Sequence, residues 1–239
     1  MKYLDRTLGT PQENLACDEA LLDVCEEGYP DEILRVWEPP QHFVVVGYSN
    51  KVRAEANLDA CRALGVPLLR RCSGGGTVLQ GPGSLNYALI LRIREGSPTR
   101  TIAEANAFIM KRNRNALNSL LGDQVLIQGH TDLTLQGRKF SGNSQRRKRR
   151  FLLFHGSFLL GLDLALVEQT LRLPSKQPSY RRNRAHKDFL TNLPLPAIAV
   201  KEAMKEVWGA TAMLEEIPEK RIQRLVREKY GTDAWNFKC

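Results

Sequence analysis

Three consecutive glycines, Gly74, Gly75 and Gly76, follow the basic pair Arg70-Arg71 and lead into Thr77-Val78, and no other stretch limits this chain so much. Residues without a Cβ let the backbone come close to a ligand, and the successive amides of such a loop can surround a phosphate or a carboxylate. The Gly-Lys-Ser/Thr ending of a Walker A loop is missing, which disfavours an ordinary P-loop. A second glycine-flanked motif lies further on, Gly137-Arg138-Lys139-Phe140-Ser141-Gly142-Asn143, and Phe154-His155-Gly156 follows it. Together these stretches supply fixed donors and one mobile cation, the parts needed to hold an anionic intermediate.

Around the motifs, helix and strand signals alternate irregularly. Thr10-Pro11-Gln12-Glu13 is a capping box with proline at the first helical position, and the helix it opens stops before Gly28. Residues 33–37 and 43–47 read as short paired strands about Pro39-Pro40, 54–64 as a helix ending at Gly65, and 68–72 as the strand that delivers the glycine loop. An apolar strand over 85–93 and a helix over 101–121 come next. Residues 125–127, 131–135, 138–141 and 151–160 give a run of strands, Asp163 caps a helix through 171, and 174–186 is a polar, basic loop with scope for movement. Helices over 197–208 and 218–230, with a strand at 212–215 between them, complete the pattern. Such mixing, without strict βαβ alternation, predicts an α+β fold with a mixed, largely antiparallel sheet flanked by helices.

The 239 residues, 42% of them hydrophobic, suffice for one sizeable core, so a single domain over 1–239 is expected. A formal net charge of +9 favours an acidic partner, whether nucleic acid, an acidic protein or a polyphosphate. The first ten residues hold no apolar run, and no stretch approaches the roughly twenty apolar residues that cross a bilayer, which predicts a soluble, cytoplasmic protein without a membrane partner. Cys17, Cys25, Cys61, Cys72 and Cys239 form an odd set without metal-binding spacing, so reduced thiols are expected and no zinc site is visible.

In chain order, Asn14-Leu15-Ala16, Trp37, the Arg-Arg-x-Ser-Gly-Gly-Gly loop, Gly83 to Tyr87, Asp132-Leu133, Gly137 to Asn143, His155-Gly156 and Phe189 to Leu193 resemble the catalytic domain of the lipoate-protein ligase family, relatives of the biotin-protein ligases, over most of the length. The resemblance implies the catalytic fold shared with biotin-protein ligases and class II aminoacyl-tRNA synthetases. It also implies ATP-dependent activation of lipoate or octanoate to an acyl adenylate, with transfer to a lysine of a lipoyl-domain acceptor protein. ATP, Mg2+ and lipoate are the implied cofactors and substrate.

A carboxylate is a poor acyl donor because its leaving group would be oxide, and its attack on the α-phosphate of ATP brings two anions together. Lys139, long and singly charged, is assigned the catalytic task of touching both the carbonyl oxygen and the α-phosphate; the plainer reading is a solvated strand lysine. Ser73, Gly74, Gly75, Gly76, Thr77 and Val78 would wrap the adenylate or the acyl carbonyl, with Arg71 adding charge or closing the acyl tunnel, unless the segment is only a glycine-rich turn. By the resemblance, Asp132 contacts the adenylate or a magnesium ion, Ser141, Gly142 and Ser157 border the substrate, and Trp37, His155 and Gly156 line the acyl pocket. A turn aspartate, a core histidine and a core tryptophan are the plainer readings of those three side chains.

The chain departs from the family pattern in having Thr131 where many ligases have asparagine, and Phe154 where they have histidine. It stops at Trp235-Asn236-Phe237-Lys238-Cys239 without the accessory domain of larger ligases, which leaves room for a separate accessory-domain protein. One rival reading is an octanoyltransferase working from an acyl-carrier thioester through a cysteine. Against it, no cysteine lies between Val78 and Lys238. The other rival is a basic nucleic-acid-binding domain built on Arg146 to Arg150 and Tyr180 to Lys187; the first run lacks the interleaved aromatics that base stacking needs.

Overall fold

The computed structural model describes residues 1–174 and 176–238; the expectation for Cys239 lies outside them. Eleven strands are assigned among these residues: β1 (Lys2–Asp5), β2 (Ile33–Trp37), β3 (Phe43–Val46), β4 (Leu68–Arg70), β5 (Val78–Gln80), β6 (Ser84–Arg92), β7 (Val125–Gln128), β8 (Asp132–Leu135), β9 (Arg138–Arg147), β10 (Phe151–Leu159) and β11 (Ala212–Met213). Eight of them form one sheet in the order β11-β1-β2-β6-β10-β9-β8-β7, and β4-β3-β5 form a second. Only β11, β1 and β2 run parallel in the large sheet; every other pair in it is antiparallel. The fold is α+β with a mixed, largely antiparallel sheet flanked by helices, as the sequence pattern predicts.

Central strand β6 shows why the sheet is covered on both sides. Leu85, Tyr87, Leu89 and Leu91 point into one core, against helices α4 (Ile102–Leu121) and α7 (Ala197–Trp208), while Ala88 and Ile90 point into a second core under α1 (Pro11–Glu27). Alternation along β10 repeats this: Leu152, Phe154 and Phe158 join the first core, Phe151 and Leu153 the second. His155 shares the parity of Leu153, so the pleat turns it toward α1. A third core, with Val44, Val46, Leu159 and Val167, seats the small sheet on the C-terminal end of β10.

The helix caps follow the local sequence. Thr10 accepts from the Glu13 amide at 3.2 Å while Glu13 accepts from the Thr10 amide at 2.8 Å, closing the capping box that opens α1. Thr101 and Glu104 do the same for α4. Residues 54–64 break into α2 (Val52–Glu55) and α3 (Leu58–Ala63), because Asn57 caps the second by accepting from Ala60 N. Two further expectations are corrected. β2 and β3 do not pair with each other but belong to different sheets, since the intervening prolines carry no ladder and let the chain leave the first sheet. The segment 174–186 is not a detached loop: Tyr180, Arg181 and His186 are packed into the structure ahead of α6 (His186–Phe189). No helix among the described residues is long and apolar enough to cross a membrane.

Candidate active site

The site is a register row laid across five strands. Trp37 on β2 pairs with Asn86 on β6, Asn86 with Ser157 on β10, Ser157 with Gly142 on β9, and Gly142 with Asp132 on β8. At the usual spacing between strands the row spans about 19 Å. A cavity of about 590 Å³ opens above it, roofed by Gly75, Gly76, Thr77 and Val78 and closed at the side by Leu171, Arg172, Pro178, Arg181, Phe189 and Leu190.

Lys139 enters the cavity by a fault in the ladder. Leu133 pairs with Ser141 and Thr134 with Lys139, so Phe140 is an extra residue in β9. Such a bulge reverses the facing of what lies beyond it. Ser141 and Phe140 stay on the core side, both buried, while Lys139 turns to the cavity side and lies over Gly142. A Cβ at position 142 would stand 2.8 Å from Lys139 Nζ, so glycine there makes room for the ammonium group. Lys139 Nζ donates to Asp132 Oδ1 at 2.8 Å, and the Tyr180 hydroxyl donates to Asp132 Oδ2 at 2.7 Å.

The glycine loop is shaped from behind by the arginines before it. Arg71, buried and pulled by desolvation down to about 10, stays cationic at neutral pH and donates to the carbonyls of Gly74 and Gly76 at 2.5 and 2.7 Å. Drawing the carbonyls to one side turns the amides to the other, and no acceptor among the described residues takes the amides of Gly74 to Thr77. Arg71 is therefore spent on the loop and is not free to hold a ligand as a bare charge. Arg70 donates to the carbonyls of Gly47, Tyr48 and Asn50 and to those of Trp235 and Lys238, tying the loop base to the C-terminal helix α9 (Asp233–Asn236).

At the α1 end a polar chain backs the cavity. Ser73 Oγ and His155 Nε2 stand 2.5 Å apart, His155 Nδ1 is 3.3 Å from Asp18 Oδ2, and Asp18 Oδ1 accepts from Arg35. The chain is completed when the ring donates to Asp18 from Nδ1 and accepts from the Ser73 hydroxyl at Nε2. Arg35 is fully buried and also donates to Asn14. Next door, Gly156 leaves space for Asn143, whose Oδ1 accepts from the Tyr87 hydroxyl at 2.5 Å.

The sequence-predicted residues thus come together: Lys139, Asp132, Gly142, Ser141, Ser157, His155, Gly156, Trp37, Arg71 and Gly75 to Val78 all border the cavity. Ser73 and Gly74 lie behind its wall. Sequence reasoning missed Asp18, Arg35, Asn86 and Tyr180. Arginine in the apolar stretch Ile33-Leu34-Arg35-Val36-Trp37 was a usable signal, because a buried guanidinium needs an acidic partner, and Asn14 and Asp18 lie one helical turn apart. Tyr180 gave none. Cys72, the thiol inside the loop, points away: it is buried with Tyr230 in the α1 core, and burial pushes it up to about 12. Cys17, Cys25 and Cys61 are buried too, and no cysteine among the described residues borders the cavity.

Three of the basic side chains of the run 146–150 are used internally, Arg146 by donating to the Cys72 carbonyl at 3.4 Å. Arg147 donates to the carbonyls of Thr99 and Arg100, and Lys148 pairs with Asp23 at 2.6 Å.

The family described as lipoyl protein ligase A/B catalytic domain matches residues 10–209. Octanoyltransferase LipM of Geobacillus kaustophilus is 28% identical over an alignment covering 99% of this chain and 98% of that protein. A protein of Aeropyrum pernix, provisionally named lipoate-protein ligase A, is 30% identical over 89% of this chain and 76% of its own length. Among solved structures, a bi-partite lipoate protein ligase from Thermoplasma acidophilum, described with its E2 lipoyl domain, superposes with a TM-score of 0.82 at 23% identity, over 99% of this chain and 96% of that one. That likeness speaks for the fold.

Proposed function

Given that this chain belongs to the lipoyl protein ligase A/B catalytic-domain family, we propose that it is an ATP-dependent lipoate-protein ligase: it activates lipoate or octanoate to the acyl adenylate and passes the acyl group to a lysine of a lipoyl-domain acceptor. The observation that carries this reading is the composition of the cavity, which offers a lysine, a carboxylate and a row of unpaired amides but, among the described residues, no thiol. Carboxylate attack on the α-phosphate needs a cation that moves with the developing charge, and Lys139 supplies it. The amides of Gly75, Gly76 and Thr77 hold the anionic phosphate or the acyl carbonyl. Gly142, Ser157 and Gly156 keep the floor low enough for the acyl chain to extend toward Trp37 and His155, with the Ser141 backbone at its border.

Mg2+ suits this site only as a partner of the triphosphate, because no group of three or more metal-binding side chains occurs among the described residues. Asp132, whose two oxygens already meet Lys139 and Tyr180, is the carboxylate that would share it. Bound there, the ion would neutralise phosphate charge.

A second reading, octanoyl transfer from a carrier-protein thioester, is favoured by one observation: relatives such as the Geobacillus protein are named octanoyltransferases. Intact-mass measurement of an acceptor lipoyl domain separates the two. Incubated with this protein, lipoate and Mg2+, the acceptor should gain one lipoyl group only when ATP is present. Efficient gain of octanoyl from a carrier thioester without ATP would sink the ligase reading. Because the Thermoplasma ligase is bi-partite, an accessory protein added in trans belongs in the same experiment.

A further inference from the structure

Tyr180 lies in the segment ahead of α6, outside both glycine motifs, yet its hydroxyl is bonded into the centre of the site. It donates to Asp132 Oδ2, while Lys139 Nζ takes Oδ1 of the same carboxylate. The ring packs on Phe189 with centroids 5.3 Å apart, and Arg184 anchors both ends of the contact by donating to the carbonyls of Tyr180 and Gly137. Lys139 is also held by its backbone, whose carbonyl accepts from Thr191 N.

An ammonium group has three N–H bonds, and a carboxylate with both oxygens free can engage two of them. We propose that Tyr180 is a positioning residue: by occupying one oxygen of Asp132 it limits that carboxylate to a single-oxygen hold on Lys139, leaving two N–H bonds of the ammonium for the reacting anions. The inference rests on the reading of Lys139 as the cation that meets those anions. It explains why a tyrosine from a segment remote in sequence closes the back of the β8–β9 hairpin.

The test uses the full chain and four variants of one cycle: wild type, Tyr180→Phe, Asp132→Asn and the double variant. Phenylalanine keeps the packing on Phe189 and removes only the hydroxyl. Calorimetry with a non-hydrolysable lipoyl-adenylate analogue should show Tyr180→Phe binding about tenfold more weakly, with an equal loss in single-turnover acyl transfer and no change in affinity for free lipoate. In the Asp132→Asn background the same change should have almost no effect, a coupling that a merely structural tyrosine would not give. Equal losses in both backgrounds, wild-type affinity in Tyr180→Phe, or a wild-type chain that does not bind the analogue would each overturn the proposal. Failure of the ligase reading looks different: transfer would then proceed from an octanoyl thioester without ATP, and Tyr180→Phe would still weaken the analogue.

Discussion

Lys139 faces the cavity only because Phe140 is an extra residue in the ladder, and this dependence on one bulge makes the lysine a sharp target. Lys139→Ala should leave thermal unfolding within about 0.5 kcal/mol of the parent, since a partly exposed ion pair contributes little. Adenylate formation should fall by about a hundredfold or more, as expected when one charged transition-state contact is lost. Rates within a few fold of wild type would return Lys139 to a solvated strand lysine. The glycines differ among themselves in the same way. Gly75 has φ +84 and a Cβ there would meet Arg71, so its substitution strains the loop itself. Gly76 borders the cavity, has no positive φ, and a Cβ there meets nothing within 4 Å. Gly76→Val is therefore the cleaner probe: the variant should fold and lose affinity for an acyl-adenylate analogue, and unchanged affinity by calorimetry would make the loop a simple turn.

Among the elements, the segment from Arg172 to α6 depends on pH for its stability through His186. His186 donates from Nε2 to the Arg172 carbonyl at 3.1 Å and accepts at Nδ1 from the Arg181 guanidinium at 3.3 Å, so it serves as a neutral imidazole. Burial first, then the Arg181 charge, lower it below its ordinary 6.5, against the opposing pull of the Arg172 carbonyl and Glu168. With the folded value below the unfolded one, the unfolded segment binds the proton first as pH falls. The stabilisation is complete above 6.5 and is lost as pH drops from there through the folded value. Amide exchange over residues 176–190, corrected for intrinsic rates, should lose protection as pH falls below 6.5, whereas β6 should keep its own. A flat profile would mean that His186 carries none of the segment's stability.

The whole molecule carries a net charge of +9, and the structure sorts the cations that shape the fold from those that only supply field. Arg70 and Arg71 are buried and bonded to carbonyls, Arg147 and Lys148 are bonded at the β9–β10 hairpin, but no bond from the exposed side chains of Arg149 and Arg150 is present among the described residues. Replacing Arg149 and Arg150 together by glutamine should therefore leave stability unchanged. It should raise the KM for an acidic acceptor or for ATP at low ionic strength and flatten its dependence on salt, because unpaired surface charge acts through a field screened within about 10 Å at 0.1 M salt. A salt profile identical to the parent would assign substrate attraction elsewhere.

Sequence by itself determined the two glycine motifs, the capped helix α1, the helices α4 and α7, and the apolar runs of β6 and β10, because these depend on local backbone chemistry and on composition that neighbours in the chain reveal. It also marked Lys139, Asp132 and His155 for chemistry, through motif spacing and family resemblance. Tertiary structure decided the rest. Only the strand order sets Trp37, Asn86, Ser157, Gly142 and Asp132 in one row, since cross-strand register joins residues far apart in sequence. Only three-dimensional packing shows that Arg71 shapes the loop from behind, that Cys72 turns away from the cavity, and that Tyr180 reaches Asp132, for each depends on which face a side chain takes. The bulge at Phe140 is the plainest case: one residue out of register moves Lys139 from the core side to the cavity, and no local propensity announces it.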